Sequence, residues 1–283
     1  MRRHQLVAGL LLALVAGPAW AEPLPPGSVA EARVGEPPPR LRLGWLADGG
    51  AIVAAGATIG LSTLIPVDTG TRWRTQLLPI DDHLEGRYSS RAASLSDTLL
   101  AVDVTLPVAL FAGRGLDRET GARLVIYAET VLAGLAVNGV VKAVVGRPRP
   151  YVYSDDPAVV AYAAGQGRDS RLSFFSGHAS TTFSASVAGA YLFAQSTDDL
   201  NARAAVWGTE LALAGATADL RTRAGKHFYS DVLAGAAVGA GLGLLIPYLH
   251  GGRKVHLSRR EWLAIVMGPL LGVALGEMLP VGG

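Results

Sequence analysis

From about residue 50 onward the chain alternates long apolar runs with short polar turns, and no run keeps the two-residue alternation of a half-buried strand. Most runs end in Gly, Pro or a cluster of charges, as helices do. The pattern predicts helices over Ala51–Pro66, Asp97–Ala112, Gly121–Val141, Ala179–Gln195, Ala202–Ala218, Asp231–Leu249 and Glu261–Met278. The fold class expected is all-α, a bundle of six or seven helices, with no sequence repeat of fixed period. Several runs have the length of a bilayer span. Asp103, Glu129 and Glu210 lie inside them and are expected to face the bundle interior. A membrane-embedded bundle is therefore expected, with a bundle that does not cross the membrane as the alternative.

The loop His250–Arg260 carries Arg253, Lys254, Arg259 and Arg260, which by the positive-inside bias belongs in the cytoplasm. Counting spans back from it places the loops that hold the candidate chemistry on the outer, periplasmic side. The same count places residues 22–50 inside, which a cleaved export signal does not permit. Either one early segment fails to span or the first segment is retained. The N-terminus itself reads as such a signal: Arg2 and Arg3, an apolar core from Leu6 to Val15, and the small-residue cleavage pattern Ala19-Trp20-Ala21. The expected organisation is a signal peptide over 1–21, a Pro-rich linker over 22–42 and a helical domain over 43–283.

Composition narrows the partners. Half of the 283 residues are apolar and only 17% are charged, below the roughly 25% of ordinary soluble domains. The abundance of Ala and Gly suits close helix packing. With a net charge of +2 and no basic stripe interleaved with aromatics, nucleic acid is not an expected partner. There is no cysteine, so disulfides, thiolate catalysis and zinc–cysteine sites are excluded.

Three stretches carry candidate chemistry. In Lys142-Ala-Val-Val-Gly-Arg-Pro-Arg149-Pro150, Lys142 and Arg149 are seven apart, but Pro148 and Pro150 force Arg149 onto an extended exit from the preceding helix. The pair either clamps an anion or complements the helix dipole. Ser176-Gly177-His178 precedes an apolar run, either as an anion-binding turn with backbone N–H groups and a hydroxyl, or as a plain serine N-cap. His227 and Asp231 are four apart, one helical turn. Asp231 is expected to accept from Nδ1–H and leave Nε2 as a nucleophile, with a surface pair of no function as the alternative. Arg221, on the approach loop, adds a third cation. Taken together, the three stretches describe an oxyanion pocket with two histidines, which suits phosphoryl transfer.

This combination resembles the type 2 phosphatidic acid phosphatase superfamily, which shares its fold with vanadium-dependent haloperoxidases. The family motifs are Lys-x6-Arg-Pro, Pro-Ser-Gly-His and Ser-Arg-x5-His-x3-Asp. The first is intact at Lys142, Arg149 and Pro150; the second has Phe175 for Pro and the third Leu220 for Ser. The resemblance covers about residues 95–250 and implies a metal-independent phosphatase with no cofactor. It implies that His227 attacks phosphorus, oriented by Asp231, and that His178 protonates the leaving oxygen. Lys142, Arg149, Ser176, Gly177 and Arg221 are then the phosphate-binding residues. The substrate implied is a phosphomonoester or pyrophosphate, expected to belong to a lipid because apolar helices flank the pocket. Alternatives are a vanadate-dependent haloperoxidase, with His227 as the vanadate ligand, and a non-catalytic membrane protein of the same fold.

Other groups receive weaker expectations. Arg147, Arg223 and Lys226 read as solvated surface charge, with a second phosphate or a headgroup as the alternative. Asp81-Asp82-His83 with Glu85 has the look of a metal cluster but stands in a Pro-flanked loop and is not expected to bind one. Glu129, Asn138, Asp103 and Glu210 are expected to be satisfied by neighbouring helices. The loop Tyr151–Arg171, with its aromatics and apolar residues, is a candidate lid.

Overall fold

A computed structural model describes residues 41–67, 78–251 and 256–281. The expected signal peptide, nearly all of the expected Pro-rich linker, and Arg253 and Lys254 of the basic loop lie outside the described residues. The described helices are α1 (Trp45–Ser62), α2 (Ser90–Ala112), α3 (Arg118–Val145), α4 (Pro157–Gly165), α5 (Gly177–Ala194), α6 (Leu200–Arg223), α7 (Tyr229–Leu249) and α8 (Arg259–Met278). Short 3-10 turns cover Pro79–Leu84, Pro150–Tyr153 and Gly167–Arg171, and no strand occurs among the described residues.

Each of the seven expected helices is present and begins earlier than its apolar run. Five of the seven starts follow polar caps: Ser89 accepts from Ala92 N–H, Asp117 from Thr120, Ser176 from Ala179, Asp199 from Asn201 and Ala202, and Ser258 from Glu261. Such caps satisfy amide donors that the first turn leaves orphaned, so a helix starts at the cap and carries a polar first turn into its apolar body. At the other end, α3 continues past Lys142 to Val145, where Gly146 takes the left-handed conformation, φ 62°, that ends it. Likewise α6 runs on to Arg223, so Arg221 lies in its last turn and not on a loop.

Helix α5 is the centre of the bundle. Of its residues only Gly177, His178 and Phe183 escape full burial. Its polar surface is made of small hydroxyls, and neighbours come close to its backbone. Along α7, Gly235, Gly239 and Gly243 face α5, and a Cβ at Gly239 would stand 2.2 Å from Ser180 O. Along α8, Gly268, Gly272 and Gly276 face α6 in the same way, with Ala212 O 2.0 Å from a Cβ at Gly272. These stripes at four-residue intervals let pairs of helices pack backbone to backbone. Larger side chains fill the rest: Phe111, Ile126, Tyr127 and Leu192 join α2, α3 and α5, while Tyr191, Trp207 and Leu211 join α5 to α6.

Five described helices are long and apolar enough to cross a membrane: α1, α2, α3 with its exit to Tyr153, α7 and α8. Their outer faces present Leu46, Val53, Leu244, Leu245, Leu263 and Leu271 unburied. A helix that is apolar on its outer side needs a solvent as apolar as itself. The fold is an all-α, membrane-embedded bundle in which α5 and α6, the more polar pair, are sheltered inside.

Candidate active site

The three sequence motifs meet at one end of the bundle: the last turns of α3 and α6 and the first turns of α5 and α7. Lys142 projects from the last turn of α3 beside Gly177, where a Cβ would lie 2.8 Å from Asn138 Oδ1 and 3.4 Å from Lys142 Nζ. Only glycine lets the start of α5 approach this closely. Asn138 secures the junction by donating from Nδ2 to Phe175 O at 2.8 Å. Ser176 is the N-cap of α5, so the capping arrangement is realised. As acceptor in that cap its hydroxyl keeps a proton to donate. The Gly177 and His178 amides lead a helix N-terminus, where donors and dipole favour an anion.

After Gly146 the chain is extended, as Pro148 and Pro150 require, with Arg149 at φ −79° and ψ 156°. Its guanidinium is buried. Nε and Nη2 donate to Asp169 O and Oδ1, both at 2.8 Å, and Nη1 donates to Lys226 O at 3.1 Å. Nη1 also stands 3.5 Å from His227 Nε2.

His227 lies in the short connection between α6 and α7. The connection turns at Gly225, φ 67°, which packs against the Arg87 carbonyl so closely that no side chain fits. The imidazole is buried, with Nδ1 2.8 Å from Ser173 O. A carbonyl only accepts, so Nδ1 carries the proton and Nε2 presents its lone pair toward Arg149. Burial first, then Arg149, Lys142 and Arg221, push the His227 pKa well below the usual histidine value, which keeps the ring neutral.

The expected Nδ1–H bond to Asp231 is not the one formed. Asp231 Oδ2 is 3.8 Å from Nδ1 and accepts instead from Ser173 Oγ at 2.6 Å and Phe228 N–H at 2.9 Å. Its Oδ1 accepts from Arg147 Nη1 at 2.6 Å. Asp231 thus caps α7 and holds the Ser173 segment whose carbonyl orients His227. The competing donors are a buried guanidinium, a hydroxyl and a cap amide, and together they occupy both oxygens of the buried carboxylate.

Across the pocket, His178 Nε2 is 2.7 Å from Asp97 Oδ1, which also accepts from Arg221 Nη1 at 3.2 Å. Arg221 Nη1 reaches Ser96 Oγ at 3.0 Å as well. Lys142, Arg149, Ser176, Gly177, His178, Arg221, His227 and Asp231 therefore all belong to one neighbourhood. Motif reasoning missed Asp97, Asp169 and Ser173, because no fixed spacing ties them to their partners.

Three cations depart from the surface reading. Arg147 is buried between Asp231, Ser230 and Asp81, with its guanidinium carbon 4.2 Å from the centre of the Phe228 ring. Asp81 spends its oxygens on Arg147 and Ser230, which removes it from any metal cluster with Asp82 and His83. Arg223 donates to Gly276 O and Leu279 O and ties α6 to the end of α8. Lys226 donates to Tyr162 Oη and lies over the Tyr151 and Tyr162 rings. Burial, with Arg149 and Arg221 nearby, lowers its pKa to about 8. Of the interior polar groups, Asn138 and Asp103 have partners, whereas neither Glu210 carboxylate oxygen has a hydrogen bond among the described residues.

The candidate lid holds a nine-residue helix, α4, capped by Asp156 with Pro157 at its first position. Its Tyr162 packs on Tyr88 at 4.4 Å and Tyr151 at 5.3 Å between ring centres, beside the pocket cations. The model of the PAP2 superfamily matches residues 123–254, a segment that contains all eight motif residues and excludes Asp81 and Asp97. Comparisons with curated proteins and with solved structures give no match.

Proposed function

We propose that this protein is a phosphatase acting through a phosphohistidine, a reading supported by the match of residues 123–254 to the PAP2 superfamily, whose activities are of the phosphatase or haloperoxidase type. Its substrate is a phosphomonoester or pyrophosphate of a lipid, and no metal takes part in the chemistry. The observation that carries this reading is the His227 ring, protonated at Nδ1 by its bond to Ser173 O and bare at Nε2 beside Arg149.

Lys142, Arg149, Arg221, the Ser176 hydroxyl and the Gly177 amide bind the phosphoryl oxygens and spread their charge, which is most of what phosphoryl transfer asks of a protein. His227 Nε2 attacks phosphorus in line. The P–N bond forms as the P–O bond to the leaving group breaks, and His178 delivers a proton to that oxygen; burial and Arg221 lower the His178 pKa to about 4 before phosphate binds, and the negative charge of the bound phosphate, added to that of Asp97, favours its protonated form. His178, now neutral, takes a proton from water, the resulting hydroxide cleaves the P–N bond, and inorganic phosphate departs. Asp97 holds His178, and Asp231 acts through the Ser173 segment. Asp97 and Asp169 also occupy pocket cations that an incoming phosphate must share or take over.

The lipid preference is supported by the apolar spans around the pocket and by α4, with Val160 exposed on it. We place the pocket on the periplasmic face, the chain exported by its N-terminal signal and the catalytic domain formed by residues 43–283. The test is release of inorganic phosphate from detergent-dispersed phosphatidic acid in EDTA, wild type against His227→Ala. Release by wild type and loss in the variant is the expected result. Turnover of small soluble phosphoesters alone would overturn the lipid assignment. Bromide oxidation after vanadate loading, without phosphate release, would replace the phosphatase by the haloperoxidase reading.

A further inference from the structure

Away from the phosphate pocket, three ligating side chains converge from three helices. Asp48 stands in the first turn of α1, Glu129 within α3, and His250 caps the end of α7. His250 Nε2 is 3.3 Å from Asp48 Oδ1 and 3.2 Å from Glu129 Oε2, and one ligand atom of each lies within 4.8 Å of the others. Glu129 and Lys142 are thirteen residues apart on one helix, so about 20 Å separates this cluster from the pocket.

The hydrogen bonds prepare these atoms for a cation. His250 Nδ1 is 2.8 Å from Ile246 O, a carbonyl that only accepts, so the proton is on Nδ1. Nε2 then turns a lone pair toward two carboxylate oxygens. Asp48 Oδ2 is engaged by the Gly44 amide at 2.8 Å, which leaves Oδ1 for the cluster. Glu129 Oε2 is shielded from solvent and receives no hydrogen bond among the described residues. Three converging lone pairs repel unless a proton or a metal ion sits between them.

A proton on His250 Nε2 or on one of the carboxyls is one such occupant, but a single N–H or O–H joins only two atoms, and here His250 Nε2 stands equally close to two oxygens. A metal bonds all three. Ligands about 2.1 Å from a metal are separated by about 3.0 Å at right angles and about 3.4 Å in a tetrahedron. The observed 3.2 and 3.3 Å fall between these values. The outer nitrogen bound to a backbone carbonyl is the usual support of a ligating histidine.

We propose that Asp48, Glu129 and His250 bind a divalent transition metal, zinc first, as a structural clasp joining α1 to α3 and to the end of α7. The clasp has a mechanical purpose. Of the eighteen residues of α1 only Asp48 and Ser62 are buried, and the helix packs along α3 at the edge of the bundle. Its start is also linked to α7 through Arg42 N–H and His250 O at 2.9 Å.

The test uses the tag-free full chain in detergent, stripped with chelator and returned to zinc or cobalt(II) alone. Wild type should take up one equivalent of zinc, raise its unfolding temperature by several degrees, and give a visible cobalt band that saturates at one equivalent. Glu129→Gln and Asp48→Asn should weaken zinc uptake roughly tenfold or more and lose the thermal shift. Phosphate release at assay temperature should persist in every protein, with or without zinc. Substoichiometric zinc without a thermal shift in wild type, or variants that bind as wild type does, would overturn the site and leave an imidazolium–carboxylate ion pair. Should a variant fail to fold, the wild-type cobalt spectrum decides: a saturating band supports the clasp and its absence overturns it.

Discussion

At the residue scale, the protonation of His227 governs what the pocket can do. Because burial and three neighbouring cations hold its pKa well below the histidine range, the ring stays neutral as pH falls through about 6.5. The acid limb of kcat/KM assigned to the nucleophile is therefore expected below that value, measured as initial rates across a pH series. Lys226 works in the opposite sense: with a pKa near 8, it loses its charge as pH rises through that value. KM for an anionic substrate should then rise on the alkaline side, and Lys226→Gln should flatten that rise. The buried Arg147–Asp231 pair makes a different prediction. Arg147→Met leaves Asp231 and Asp81 without their cation, and breaking such a pair costs about 3–5 kcal/mol. Chemical denaturation should show that loss, with phosphate release falling too because Ser173 and His227 depend on Asp231.

At the element scale, the glycine stripes of α7 and α8 determine how closely the bundle packs. Gly239→Leu and Gly272→Leu would each push a side chain into a neighbouring backbone carbonyl. Each is expected to lower stability by at least about 1–3 kcal/mol, read as a drop in thermal midpoint. Gly241, on the same helix with open space beside it, is the control. Gly241→Ala should be neutral or raise stability by up to about 1 kcal/mol. The helices themselves were largely legible from their apolar runs. Their N-termini were not, because a capping Ser or Asp and a polar first turn resemble loop until the backbone is seen to bond to them. Helix α4 hides within the candidate lid loop although Asp156-Pro157 is a cap followed by a first-turn proline; its apolar run is too short to announce a period.

At the scale of the whole molecule, the bundle is built outward from α5, with its most apolar helices on the outside. That ordering predicts a protein that stays in the membrane pellet through an alkaline carbonate wash and leaves it only with detergent. Recovery in the carbonate supernatant would contradict the spans. It also explains why internal charges fared unequally. Asp103 met Ser186 across helices, Asp48 and Glu129 met His250, and Glu210 was sealed in with neither oxygen bonded among the described residues.

The sequence by itself determined the helical class, the apolar spans and the identity of the motif residues, since helix periods, proline constraints and motif spacings are local properties. Tertiary structure decided the partners. His178 and Asp97 are 81 positions apart, Arg149 and Asp169 are 20, and Arg147 and Asp81 are 66. No local rule joins such pairs. The expected His227–Asp231 bond shows the same limit at short range. Spacing brought the two side chains within reach, but the local cap at Phe228, together with Ser173 and Arg147 delivered by packing, occupied Asp231 and left His227 to a backbone carbonyl.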